Sequence, residues 1–105
     1  MLYTVILTYL RPVDEVHQYL EQHKTWLAEH IGAGAILVAG PLEDRSGGLL
    51  LASCGQREQL DRILALDPYV VHRVVSVAVH GCVPSLRMEA FPVQWSAQAQ
   101  AIAQS

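Results

Sequence analysis

The chain has 105 residues, of which 51% are hydrophobic and 16% charged, and its formal net charge is −3. That length suits one domain with a single core, and the basic residues Arg11, Lys24, Arg45, Arg57, Arg62, Arg73 and Arg87 are scattered, which excludes the positive stripe that nucleic acid or an anionic membrane requires. So few charges on a small domain leave apolar surface to cover, which predicts a homodimer or higher homo-oligomer.

Residues 2–10, rich in β-branched and aromatic side chains, read as a strand. They follow no positively charged leader and include no small-residue cleavage site, so they do not read as a signal peptide. Uncharged runs fall short of the ~18 residues of a membrane span, and a cytoplasmic protein is expected. Arg11-Pro12 ends the strand, and Asp14 is the expected N-cap of a helix running to about Ile31, with Glu15 in its first turn. Val16, Tyr19, Leu20, Trp26, Leu27 and Ile31 recur at helical spacing, and Gly32 and Gly34 close the helix.

Ala35–Ala39 and Leu49–Cys54 read as a hairpin whose turn spans Leu42–Gly48. The spacing of Ser53 and Gln56 suggests a capping box for a second helix over Gln56–Leu66, with Leu60, Ile63 and Leu64 inward and Pro68 as its stop. Tyr69–His80 reads as the fourth strand, with Val75, Val77 and Val79 on one face. Leu86–Trp95 is an extended run suited to pairing with a neighbouring chain, and the Ala/Gln-rich end from Ser96 reads as a frayed helix or as disordered. The division is a folded domain over 1–83 and a C-terminal extension over 84–105. The order β-α-β-β-α-β predicts an α+β fold with both helices on one face of a four-stranded antiparallel sheet. The other face, still apolar in its first three strands, needs a second copy of the chain to cover it.

His23 sits within the apolar stripe of the first helix, with Tyr19 and Leu27 one turn away on either side. A buried imidazole must find partners for its nitrogens. Asp67 precedes Pro68, and Gly40-Pro41 follows a strand; both are also ordinary turn signals. Cys54 and Cys82 lack metal or redox spacing and read as small buried hydrophobes. His17 and His23 fall on different faces of one continuous helix, His30 suits a helix C-terminus, and His72 and His80 are too far apart to chelate one ion. No metal site and no cofactor are expected. Trp26 and Trp95 read as core or interface.

Taken together, a histidine at this place on the first helix, the run Ala39-Gly40-Pro41 closing the second strand and the run Asp67-Pro68-Tyr69-Val70 opening the last one resemble the YciI-related (YCII) family over roughly residues 2–83. The resemblance implies a ferredoxin-like, dimeric α/β-barrel protein, with His23 and Asp67 as a catalytic pair. Its implied function is general acid–base chemistry, by proton transfer or lyase-type elimination, on a small cyclic or aromatic compound. Tyr9, Gly40, Pro41 and Tyr69 are the expected substrate-binding residues. The alternative is a non-catalytic small-molecule-binding or accessory oligomeric module. Related sequences often carry an arginine where this chain has Leu20.

Overall fold

A computed structural model describes residues 1–103. The elements are β1 (Leu2–Tyr9), α1 (Val13–His17), α2 (Leu20–Gly32), β2 (Ile36–Pro41), β3 (Gly47–Ser53), α3 (Arg57–Leu64), α4 (Pro68–Val71), β4 (Val75–Cys82), β5 (Leu86–Met88) and β6 (Gln100–Ile102), with a 3-10 turn at Val93–Trp95. The first four strands form an antiparallel sheet in the order β2-β3-β1-β4, the arrangement of an α+β ferredoxin-like fold. β1 is central because it pairs on both sides, with Val5 opposite Leu50 of β3 and Val79 of β4. Alternation sends Tyr3, Val5 and Leu7 into the core with Leu50, Ala52, Ile36 and Val75. The helices cover that face through Val16, Trp26, Leu60 and Leu64.

The opposite face is mixed, apolar mainly in the row through Ile6 and Leu49, and only partly shielded. Gly40, Leu49, Ile6 and Ala78 stand in one cross-strand row, and Val38, Leu51, Thr4 and His80 in the next. Val38 is 55% exposed. No helix among the described residues is long and apolar enough to cross a membrane.

Several local expectations are corrected. The first helix is broken: Gln18 and Tyr19 donate to Glu15 and Val16, three residues back, which tightens the turn and separates α1 from α2. Asp14 lies inside α1 and does not cap it; Pro12 stands at the N-cap. Ser53 is still paired in β3, and its hydroxyl donates to the Met1 carbonyl, so the proposed capping box does not form. Residues 68–71 are a helical turn and not strand, because Asp67 caps them by accepting from Tyr69 N–H and Pro68 pre-sets the first helical φ. Arg73, at φ 58°, then turns the chain into β4. Leu86–Met88 pairs in parallel with Gln100–Ile102 of the same chain, so that part of the tail is strand. Gln104 and Ser105, at the end expected to be frayed or disordered, lie outside the described residues. Cys54 is buried, where desolvation pushes its thiol pKa up, whereas Cys82 is exposed at the end of β4.

The β2–β3 hairpin closes against β1 with no room to spare. A Cβ on Gly47 would collide with the Leu7 carbonyl oxygen. Backbone cannot yield as a flexible side chain does. Gly47→Ala is therefore expected to cost about 3 kcal/mol, read as a lowered urea midpoint, whereas Gly48→Ala, whose nearest contact is 3.4 Å, changes the midpoint little. Equal midpoints for both variants would refute this packing argument.

Candidate active site

His23 and Asp67 come together through two stacked ring pairs between α2 and α4. Tyr19 and His23, one helical turn apart, face His72 and Tyr69 respectively. The His23 and Tyr69 rings lie 3.9 Å apart and 6° from parallel; the Tyr19 and His72 rings lie 4.0 Å apart and 10° from parallel. This contact fixes the His23 ring plane and brings its Nδ1 to 2.7 Å from Asp67 Oδ1. Trp26 flanks the imidazole at 5.8 Å, and its indole N–H donates to the Ile63 carbonyl at 3.1 Å, which ties α2 to α3.

Asp67 is 0% exposed, and His23 8%. The same Oδ1 also accepts from Tyr69 N–H at 3.0 Å, so one oxygen both caps α4 and holds the imidazole. Oδ2 is buried without a hydrogen-bond partner. With Nδ1–H donating to the carboxylate, the neutral ring leaves Nε2 as its free acceptor. Burial, with the neighbouring Tyr9 and Asp67, pushes the Tyr69 hydroxyl pKa up to about 12, so that phenol is neutral near pH 7.

His23 and Tyr69 open on a cavity of about 500 Å³ between the α1–α2 segment and the sheet. Leu7, Leu20, Leu27, Ala39 and Leu50 supply apolar walls. Of the residues singled out from sequence, His23, Tyr9, Gly40, Pro41 and Tyr69 line this cavity, and Asp67 lies behind His23. Three further lining residues with titratable side chains, His17, Lys24 and Arg45, lie outside the set expected from sequence. The break between α1 and α2 lets His17 and His23 share a cavity that a continuous helix would not give them. Arg45 falls within the turn expected over Leu42–Gly48, where an arginine two residues ahead of a Gly-Gly pair is the available signal. His72 is stacked on Tyr19 and not in a strand, and His80 is exposed on the open face of β4. No cluster of three metal-ligating side chains occurs among the described residues.

The profile of the YCII-related domain matches residues 1–79. No curated protein matches the chain. Among solved structures, it is similar to 5-chloro-2-hydroxyhydroquinone dehydrochlorinase from Burkholderia phenoliruptrix AC1100, captured with 2,5-dihydroxybenzoquinone. That match has a TM-score of 0.62 and 17% identity, covering 81% of this chain and 96% of the other. It is also similar to muconolactone isomerase, with a TM-score of 0.62 and 19% identity over 87% of this chain and 94% of the other. At these identities the likeness establishes the shared ferredoxin-like fold.

Proposed function

The chain belongs to the YCII-related domain family, and from that premise we propose a small-molecule enzyme of the lyase or isomerase type in which His23 moves a proton. The observation that carries this reading is the buried His23–Asp67 pair, 2.7 Å apart, beside an apolar cavity of about 500 Å³. Asp67 holds the tautomer with Nδ1 protonated and stabilises the imidazolium that forms when Nε2 accepts a proton. In an elimination, the electron pair of the broken bond to hydrogen forms the new π bond and the leaving group departs with its own pair. In an isomerisation, the imidazolium returns the proton to another atom of the substrate. Tyr69 packs on the ring, and Tyr9, Gly40 and Pro41 form part of the wall that receives the substrate. A volume of this size suits one small ring compound. Both similar structures carry names of enzymes acting on such compounds.

The test is turnover by wild-type protein and His23→Gln on a panel of chlorinated hydroxyquinols and unsaturated lactones, beside binding of the same compounds. Turnover by wild type that the variant loses supports the reading. Binding without turnover, unchanged in the variant, refutes it and leaves the second reading, a non-catalytic binding module. That second reading is favoured by Leu20, which gives the cavity an apolar wall at the position where the family resemblance implies an arginine.

The reading includes a cytoplasmic location, in keeping with two free cysteines. It takes residues 1–83 as the functional domain and 84–105 as an extension. It also includes a homodimer formed across the open sheet face, where Gly40, Leu49, Ile6 and Ala78 make an apolar row flanked by Val38 and Leu51. Ile6→Glu is expected to halve the mass measured by sedimentation at micromolar concentration; a monomeric wild type would remove the dimer from the proposal.

A further inference from the structure

We propose that the cavity selects an anionic ring compound, and that Arg45, with Lys24, binds its charged group. This rests on the reading of the cavity as the small-molecule site. The chain has 10 acidic residues against 7 Lys and Arg. The cavity reverses that balance: Lys24, Arg45, His17 and His23 line it, and no Asp or Glu does. Asp67 reaches it only through the imidazole that it holds.

Among the described residues, neither cation is held by a close ion pair. Arg45 forms no salt bridge among the described residues. Its neighbour Asp44 is engaged with Ser46, accepting the N–H at 3.0 Å and the hydroxyl at 2.6 Å, and those bonds hold the Asp44 carboxyl below its ordinary pKa. Lys24 has only Glu21, 3.9 Å away on the exposed side of α2. Such a pair contributes little. Both cations are exposed at the cavity's rim, so an anion seated against Leu7, Leu20, Leu27 and Leu50 is attracted to them with screening weakened only on the side of the apolar walls.

The backbone of Arg45 points the same way. Its φ is 65°, in the left-handed region, where glycine is the cheaper residue. The conformation is held by Arg45 N–H donating to the Leu42 carbonyl at 2.9 Å and by Tyr9 N–H donating to the Ser46 carbonyl at 2.9 Å. A positive φ by itself marks no site, since Arg73 shares it away from the cavity; at Arg45 the strained backbone coincides with a place on the cavity wall. Arg45 thereby supplies a cation from the β2–β3 turn, across the cavity from the helix position that Leu20 leaves apolar.

Calorimetric titration with two matched pairs tests this: benzoate against benzamide, and 2,5-dihydroxybenzoquinone, an acidic enol, against its neutral dimethyl ether. Wild type is expected to favour the anion of at least one pair by about tenfold or more, the size of one charge-assisted hydrogen bond. Arg45→Gly, which relieves the backbone and so folds, is expected to abolish that preference while leaving the neutral partner's affinity unchanged; Arg45→Lys restores part of it. Arg73→Gly controls for the backbone change, since Arg73 also has a positive φ, 58°, but does not line the cavity. It is expected to keep the full preference. Equal affinity for anion and neutral partner, or a preference that survives Arg45→Gly, overturns the proposal and leaves the cavity a small-molecule site. Failure of all four probes to bind wild type overturns the proposal together with the reading beneath it.

Discussion

Replacement of His23 by glutamine is expected to lower kcat by about 10²–10⁴, the usual share of general acid–base catalysis, with KM changed by less than about threefold. Glutamine is close in length to histidine and its amide N–H can donate to Asp67 Oδ1, so the buried carboxylate keeps a partner. What disappears is the group able to accept a proton and hold it as a cation. The stacked contact with Tyr69 at 3.9 Å and the flanking Trp26 are packing terms that an amide satisfies only in part. A loss of about 1 kcal/mol in stability is therefore expected as well. That loss leaves the fold intact, which separates a catalytic defect from an unfolded protein. A variant that folds, binds and turns over at the wild-type rate would remove His23 from the chemistry. A KM raised by the whole factor with kcat unchanged would make it a binding residue.

Much of the fold could be read because strand periodicity in this chain is set by burial. In β1, Tyr3, Val5 and Leu7 alternate with half-buried Thr4 and Ile6. The pattern survives because one face of the sheet is packed and the other is not. The two departures with most bearing on the site occur where local hydrogen bonds outweigh periodicity. Val70 and Val71 favour strand by type, yet the Asp67 cap and Pro68 hold residues 68–71 in a helical turn. Val16, Tyr19 and Leu20 fit one helix by spacing, yet three-residue hydrogen bonds at Gln18 and Tyr19 divide it. Each of these breaks serves the site: one aims Asp67 Oδ1 at His23, the other lets His17 and His23 line one cavity. The pairing of His23 with Asp67, 44 residues apart, was reached through family resemblance. Single-sequence periodicity carries no information about which helix turn meets which loop. Arg45 was missed for a related reason, since a turn arginine is usually a solvated one.

Asp67 is expected to separate stability from activity when it is replaced in two ways. Asp67→Ala removes the oxygen that accepts from both Tyr69 N–H and the His23 ring. Loss of an N-cap costs about 1 kcal/mol, and a buried imidazole N–H left unpaired costs about 1–3 kcal/mol more. A destabilisation of about 3 kcal/mol is the expected sum, read from urea unfolding. Asp67→Asn keeps an oxygen in the Oδ1 position and so keeps the cap and the His23 contact. Its amide nitrogen then stands where Oδ2 is already buried without a partner, which costs about 1–2 kcal/mol as an unsatisfied donor. Activity behaves differently. Asparagine, with its oxygen facing Nδ1–H, keeps the tautomer but carries no charge to stabilise the imidazolium, so proton transfer to Nε2 loses its support. The asparagine variant is expected to lose kcat by about 10²–10⁴ with little change in KM, although it is the more stable of the two. A purely structural Asp67 predicts the opposite order, with activity tracking stability and the asparagine variant close to wild type. The carboxylate's charge, and not its shape, is therefore what the pair of variants isolates.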